Sequence, residues 1–131
     1  MSDYTRINLV DDVEDMAQRF GMAPNAEARF ARSTLGLEQS GLSLLGLSPG
    51  YRLPFGHRHG EQEEVYVVLE GSARVKVEDE VVELRALDAI RVPGRLARGM
   101  EAGPDGARLL AFGAPNTENK DVELMPGWWS D

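Results

Sequence analysis

Apolar and polar positions alternate in short runs through most of this chain, and Gly, Pro and acidic residues separate the runs. From about residue 28 onward, extended segments are predicted at 29–35, 42–47, 65–70, 74–78, 81–85, 89–92 and 108–113. Val75 and Val77 alternate with Arg74, Lys76 and Glu78, and Val82 and Leu84 with Val81, Glu83 and Arg85, as in strands with one covered face. Glu78-Asp79-Glu80 between those two runs reads as a hairpin turn. Residues 65–69 are apolar on both faces, which predicts a strand covered on both sides. Many short strands without intervening helices argue for an all-β sandwich or barrel.

Helical spacing is confined to the first third. Val10, Val13, Met16, Ala17 and Phe20 recur on one face, Asp11 and Glu14 resemble a capping box, and Gly21 supplies a stop. A short N-terminal helix is therefore expected over about 11–20, packed on a barrel of about 28–114, with a tail from 115 to 131. No linker or repeat interrupts this pattern, so the expectation is a single domain. Trp128 and Trp129 in the tail are expected to pack back on the body or across a dimer contact.

Composition narrows the chemistry. The 131 residues suffice for a core without covalent staples. The formal charge of −8 speaks against nucleic acid and acidic membranes as partners. The N-terminus lacks a secretory layout and no apolar run has the length of a membrane span, so a cytoplasmic protein is expected. There is no cysteine, Ser40, Ser43 and Ser48 have no nucleophile-elbow context, and the glycines form no phosphate-binding loop.

The two histidines, His57 and His59, stand two residues apart. On an extended strand they project from the same face, and a carboxylate a few residues on can complete three ligands around one cation. Two histidines and one carboxylate suit Fe(II) and also accept Mn, Ni or Zn. Tyr66, Phe55, Met100 and Phe112 are candidates to line the adjoining pocket, or to pack in the core.

His57-x-His59, followed by Glu64 and Gly71, with Gly50 upstream, resembles the first motif of the cupin superfamily. Leu87 through Pro93 resembles the Gly-Asp-(x4)-Pro stretch that opens the second motif, and the resemblance spans about residues 40–114. It implies a double-stranded β-helix, a small jelly-roll barrel, with a ligand pocket in its mouth. It also implies a homodimer, and metal ligands at His57, His59 and Glu64. Glu63 is an alternative, although its spacing to Gly71 is one residue too long.

The family's remaining ligand, a histidine, falls on Arg98, and a glycine of the same stretch falls on Arg95. Arginine does not ligate metal. Turned inward, Arg98 would repel a cation and pair with Glu64, leaving a metal-free pocket; turned outward, it would leave a three-ligand site. A third option is that it holds an anionic group beside the histidines. The resemblance thus implies a divalent metal, a small polar molecule in the barrel mouth, or both, with Arg98, Tyr66 and Glu63 as ligand-binding candidates. The alternative function is a metal-dependent oxygenase or isomerase built on two histidines and one glutamate.

Overall fold

The computed structural model describes residues 3–130, and the chain is nearly all β. Eight strands, β1 (Ala26–Phe30), β2 (Gly41–Leu47), β3 (Phe55–His59), β4 (Glu63–Val77), β5 (Glu80–Arg85), β6 (Ala89–Val92), β7 (Arg98–Ala114) and β8 (Val122–Pro126), belong to one curled sheet, and every pairing is antiparallel. Along the path β1-β2-β7-β3-β8, the long strand β7 is central; β4 pairs with β5, β6 and β7. The jelly-roll barrel expected from the sequence is the fold observed.

Two runs expected as separate strands, 65–70 and 74–78, are one strand, β4. What divides them is a pair of register shifts against β7, between Val68 and Glu70 and between Gly71 and Ala73. The shifts exchange the inward parity: Tyr66 and Val68 are buried before them, Ala73 and Val75 after them. Gly71 sits at the bend with φ +75°, and a Cβ there would run into the Gly106 carbonyl. The core of Val68, Val75, Leu109, Val92, Leu84 and Met100 fills the space between the two halves of the sheet. The hairpin at Glu78-Asp79 forms as expected, with Val77 opposite Glu80.

The helix expected over 11–20 does not form; that stretch is a series of turns, with a bridge from Asp15 to Arg29. Short polar side chains take the backbone bonds that a helix would use. Asn8 Oδ1 accepts from the Val10 and Asp11 amides, Asp12 Oδ2 from Asn8, and Asp15 Oδ1 from Ala17 and Ala28. Val13 and Ala17 are buried, but Phe20 is 56% exposed, so the apolar face is not covered as a stripe. The one helix among the described residues, α1 (Arg32–Leu35), is a single turn closed by Gly36 at φ 73°, where an extended run is expected from the sequence. None of the described helices is long and apolar enough to cross a membrane.

The tail adds β8, which the sequence did not announce, along the edge of β3. Beyond it, Trp128 lies on a platform made by Gly56 and Gly99, where any Cβ would come within 2.6 Å of its ring. Its indole N–H donates to the Lys76 carbonyl at 3.1 Å. Trp129 stacks under Arg52, whose guanidinium carbon is 4.3 Å from the ring centroid. The two tryptophans therefore pack back on the body. Because Gly56 and Gly99 adjoin His57 and Arg98, this packing fixes the tail directly beside the candidate site.

Candidate metal centre and ligand pocket

Strand β3 presents His57 and His59, β4 presents Glu64 and Tyr66, and β7 presents Arg98 directly across from His57. The side chains converge on one atom. Glu64 Oε1 lies 2.7 Å from the Tyr66 hydroxyl, 2.8 Å from Arg98 Nη1, 3.1 Å from His59 Nε2 and 3.2 Å from His57 Nε2. His57, His59 and Glu64 each offer a ligand atom within 4.8 Å of the others. Burial alone would raise the Glu64 carboxyl, but the hydrogen bonds from His57, His59 and Tyr66 overcome it and hold the group far below the usual range. Tyr66 is pushed the other way, first by burial and then by the Glu64 charge, so its hydroxyl stays a donor.

Arg98 is turned inward and is fully buried. Its Nε donates to the Leu96 carbonyl, and Nη2 to the Pro93 carbonyl at 2.7 Å and the Gly94 carbonyl at 3.4 Å. Nη1 donates to Glu64 and to the Tyr66 oxygen. All five guanidinium N–H groups are thereby engaged, so Arg98 has no donor left for an incoming anion. Glu63, the other candidate on β4, points outward to Arg91 at 2.8 Å with half its side chain exposed, and is not brought to the cluster. Adjacent residues on a strand face opposite sides, which separates Glu63 from Glu64.

Asp121, just before β8, is the site residue that sequence reasoning missed. Its carboxylate accepts from the Glu61 and Gln62 amides, the Thr117 hydroxyl and His59 Nδ1. Burial would raise it, but these bonds, led by Thr117, hold it well below its ordinary value. It is 62 residues from His59, and no local pattern links the two. An ionised Asp121 can only accept, so His59 Nδ1 carries a proton and the ring turns Nε2 toward Glu64. A carboxylate behind a histidine in this way is the usual support of a metal-ligating imidazole.

These shifts set a pH profile for the protein without bound metal. The Asp121 and Glu64 contributions are fully present above ordinary values of 3.8 and 4.5, and are lost as pH falls through the lower folded values. For His59, burial opposes protonation, but the bonds to Glu64 and Asp121 outweigh it and raise the ring above its ordinary 6.5. That contribution is fully present below 6.5 and is lost as pH rises through the folded value. Urea midpoints of chelator-treated protein should therefore peak between pH 4.5 and 6.5 and fall on both sides. A midpoint that climbs steadily into the alkaline range would contradict the assigned hydrogen bonds.

Above the cluster the barrel opens into a cavity of about 590 Å³. Of the aromatic and methionine candidates, Tyr66, Phe55 and Met100 line it, whereas Phe112 does not and is 47% exposed. The tail contributes Val122 and Leu124, opposite His59 and His57.

A barrel of this topology, with two histidines and a glutamate converging at its mouth, defines a cupin. The sequence matches the cupin domain family over residues 44–112, and the chain belongs to that family. It is 35% identical over 82 residues to dimethylsulfoniopropionate lyase DddW of Ruegeria pomeroyi, a match covering 63% of this chain; it spans about half (52%) of that relative's length. A cupin protein from Bacteroides fragilis is similar in structure with a TM-score of 0.72 and 23% identity, over 89% of this chain and 88% of that one. The Streptomyces protein PAC13, solved as a variant with uridine, is similar with a TM-score of 0.74 and 15% identity, over 96% and 93% of the two chains.

Proposed function

We propose that this cupin binds a divalent cation on His57 Nε2, His59 Nε2 and Glu64 Oε1, and holds a small molecule above it in the barrel mouth. One observation carries the reading: two imidazole Nε2 atoms face the same carboxylate oxygen at 3.2 and 3.1 Å, while Tyr66 and Arg98 already donate to that oxygen. With Asp121 holding the proton on His59 Nδ1, a neutral His59 turns its Nε2 lone pair toward the Glu64 carboxylate, an approach that a cation among the three groups makes favourable. With neutral imidazoles, Glu64, Asp121 and Arg98 sum to one negative charge, which a cation also offsets. An inward Arg98 paired with Glu64 is the arrangement expected of a metal-free pocket. Here it hydrogen-bonds Glu64 yet leaves both imidazoles converged.

The donor set of two imidazoles and one carboxylate suits Fe, Mn, Ni or Zn, and such an ion would supply Lewis acidity or a redox centre to a ligand atom in its open positions. Around it, Asp121 fixes the His59 tautomer, Tyr66 and Arg98 orient Glu64, and the apolar walls exclude water. The similarity to the Ruegeria lyase and to PAC13 with uridine supports a small-molecule pocket.

A second reading has its own observation, the 2.8 Å bond from Arg98 to Glu64. If His59 is protonated, it balances Asp121 while Arg98 balances Glu64, and the pocket needs no metal. Metal stoichiometry separates the two: protein purified without chelator should carry near-stoichiometric metal, and His57→Ala/His59→Ala should carry none.

A further inference from the structure

The charged residues around the cavity are not equivalent. Of the two arginines lining it, Arg98 is saturated, as described above. Arg32, the first residue of α1, is half-buried against the same cavity and makes no side-chain hydrogen bond or ion pair with the described residues. The lining acids do not neutralise it. Glu27 is held by Arg29 at 2.7 Å and by Arg108 at 3.4 Å, and Glu118 is paired with Lys120 at 3.5 Å. In a chain of net charge −8, an arginine left unpaired beside an apolar cavity is a local positive site in a negative field.

Polar groups, among them His57, His59, Gln62 and Asn116, also line the cavity, but much of its wall is apolar. Leu42, Leu45, Leu53, Phe55 and Met100 form the walls. At the entrance, Phe20, Phe30 and Leu124 are 56%, 41% and 58% exposed, and the two phenylalanine rings meet edge to face at 5.9 Å. A cavity of about 590 Å³ falls in the range that encloses small organic ligands. Apolar walls select an apolar body, and a free guanidinium with paired N–H donors selects a planar anion.

We propose that the occupant is an amphipathic organic anion, its apolar body against these walls and its carboxylate on the Arg32 guanidinium. This deepens the reading of the cavity as a ligand pocket, and it does not require the metal. Inorganic anions fall outside the class, because they gain nothing from the apolar walls.

The test is calorimetric titration of the intact protein with octanoate and with 1-octanol, probes that share a chain length and differ in charge. Octanoate is expected to bind more tightly than octanol. Arg32→Gln should weaken octanoate by roughly tenfold, the scale of one charge-assisted hydrogen bond, and leave octanol unchanged. Arg32→Lys should retain part of the preference. Equal affinities for the two probes, an octanoate affinity indifferent to Arg32→Gln, or no binding of either probe would overturn the proposal. Metal content read on the same samples keeps the two ideas apart. A charge preference lost in Arg32→Gln supports the Arg32 assignment whether or not the samples carry metal. Metal present without that preference overturns the Arg32 assignment and leaves the metal reading standing.

Discussion

Glu64→Ala is expected to destabilise the fold by about 3–5 kcal/mol, because it leaves a buried charge without its partner. The Arg98 side chain is 0% exposed and Glu64 is 14% exposed, so water cannot replace the lost carboxylate. The Tyr66 hydroxyl, also buried, loses its acceptor at 2.7 Å. The three carbonyls that hold Arg98 satisfy its N–H groups but not its charge. Glu64→Gln keeps an oxygen acceptor and should cost less. Glu64→Ala combined with Arg98→Met should recover most of the loss, since an apolar replacement of a buried pair is often neutral or better. Urea unfolding of the three variants measures this. A Glu64→Ala variant within about 1 kcal/mol of wild type would mean that Arg98 is effectively solvated, since exposed pairs contribute no more than that.

Asp121→Ala is expected to weaken metal binding by about 10–100-fold, the usual cost of losing the group that orients a ligating histidine. The carboxylate fixes His59 through Nδ1 at 3.1 Å, and it also holds the turn between β3 and β4 through the Glu61 and Gln62 amides at 2.9 and 3.0 Å. Asp121→Asn keeps an acceptor for one of these donors and should fall between wild type and alanine. Competition of each variant against a chelator of known affinity gives the constants. An unchanged affinity in Asp121→Ala would show that His59 is oriented by its strand alone.

The convergence of His57, His59 and Glu64 was legible in the sequence because their placement is local and because the spacing to Gly71 resembles the family motif. A two-residue spacing on a strand puts His57 and His59 on one face, and the bend after Gly60 returns Glu64 to it. The strands were legible wherever alternation was regular, as at Val75 and Val82. Asp121 was not, because its link to the site is made by β8, an edge strand of mixed polarity that forms only once β3 is there to pair with. The 11–20 segment misled for a different reason. Its periodicity is real, but Asn8, Asp12 and Asp15 satisfy the backbone locally, and one buried valine and one buried alanine offer too little apolar contact to outweigh them. The direction of Arg98 could not be read from residue types. It depends on the Pro93, Gly94 and Leu96 carbonyls curling around the guanidinium.

Whether three ligands and an arginine hold a metal is decided by one assay. The protein is purified without chelator, offered Fe(II), Mn, Ni and Zn in turn, desalted, and its bound metal measured beside His57→Ala/His59→Ala. Near-stoichiometric retention of one of these ions by wild type, lost in the double variant, is the expected result. Wild-type protein that retains none of the four would contradict the metal centre and leave Arg98 as the resident cation of the pocket.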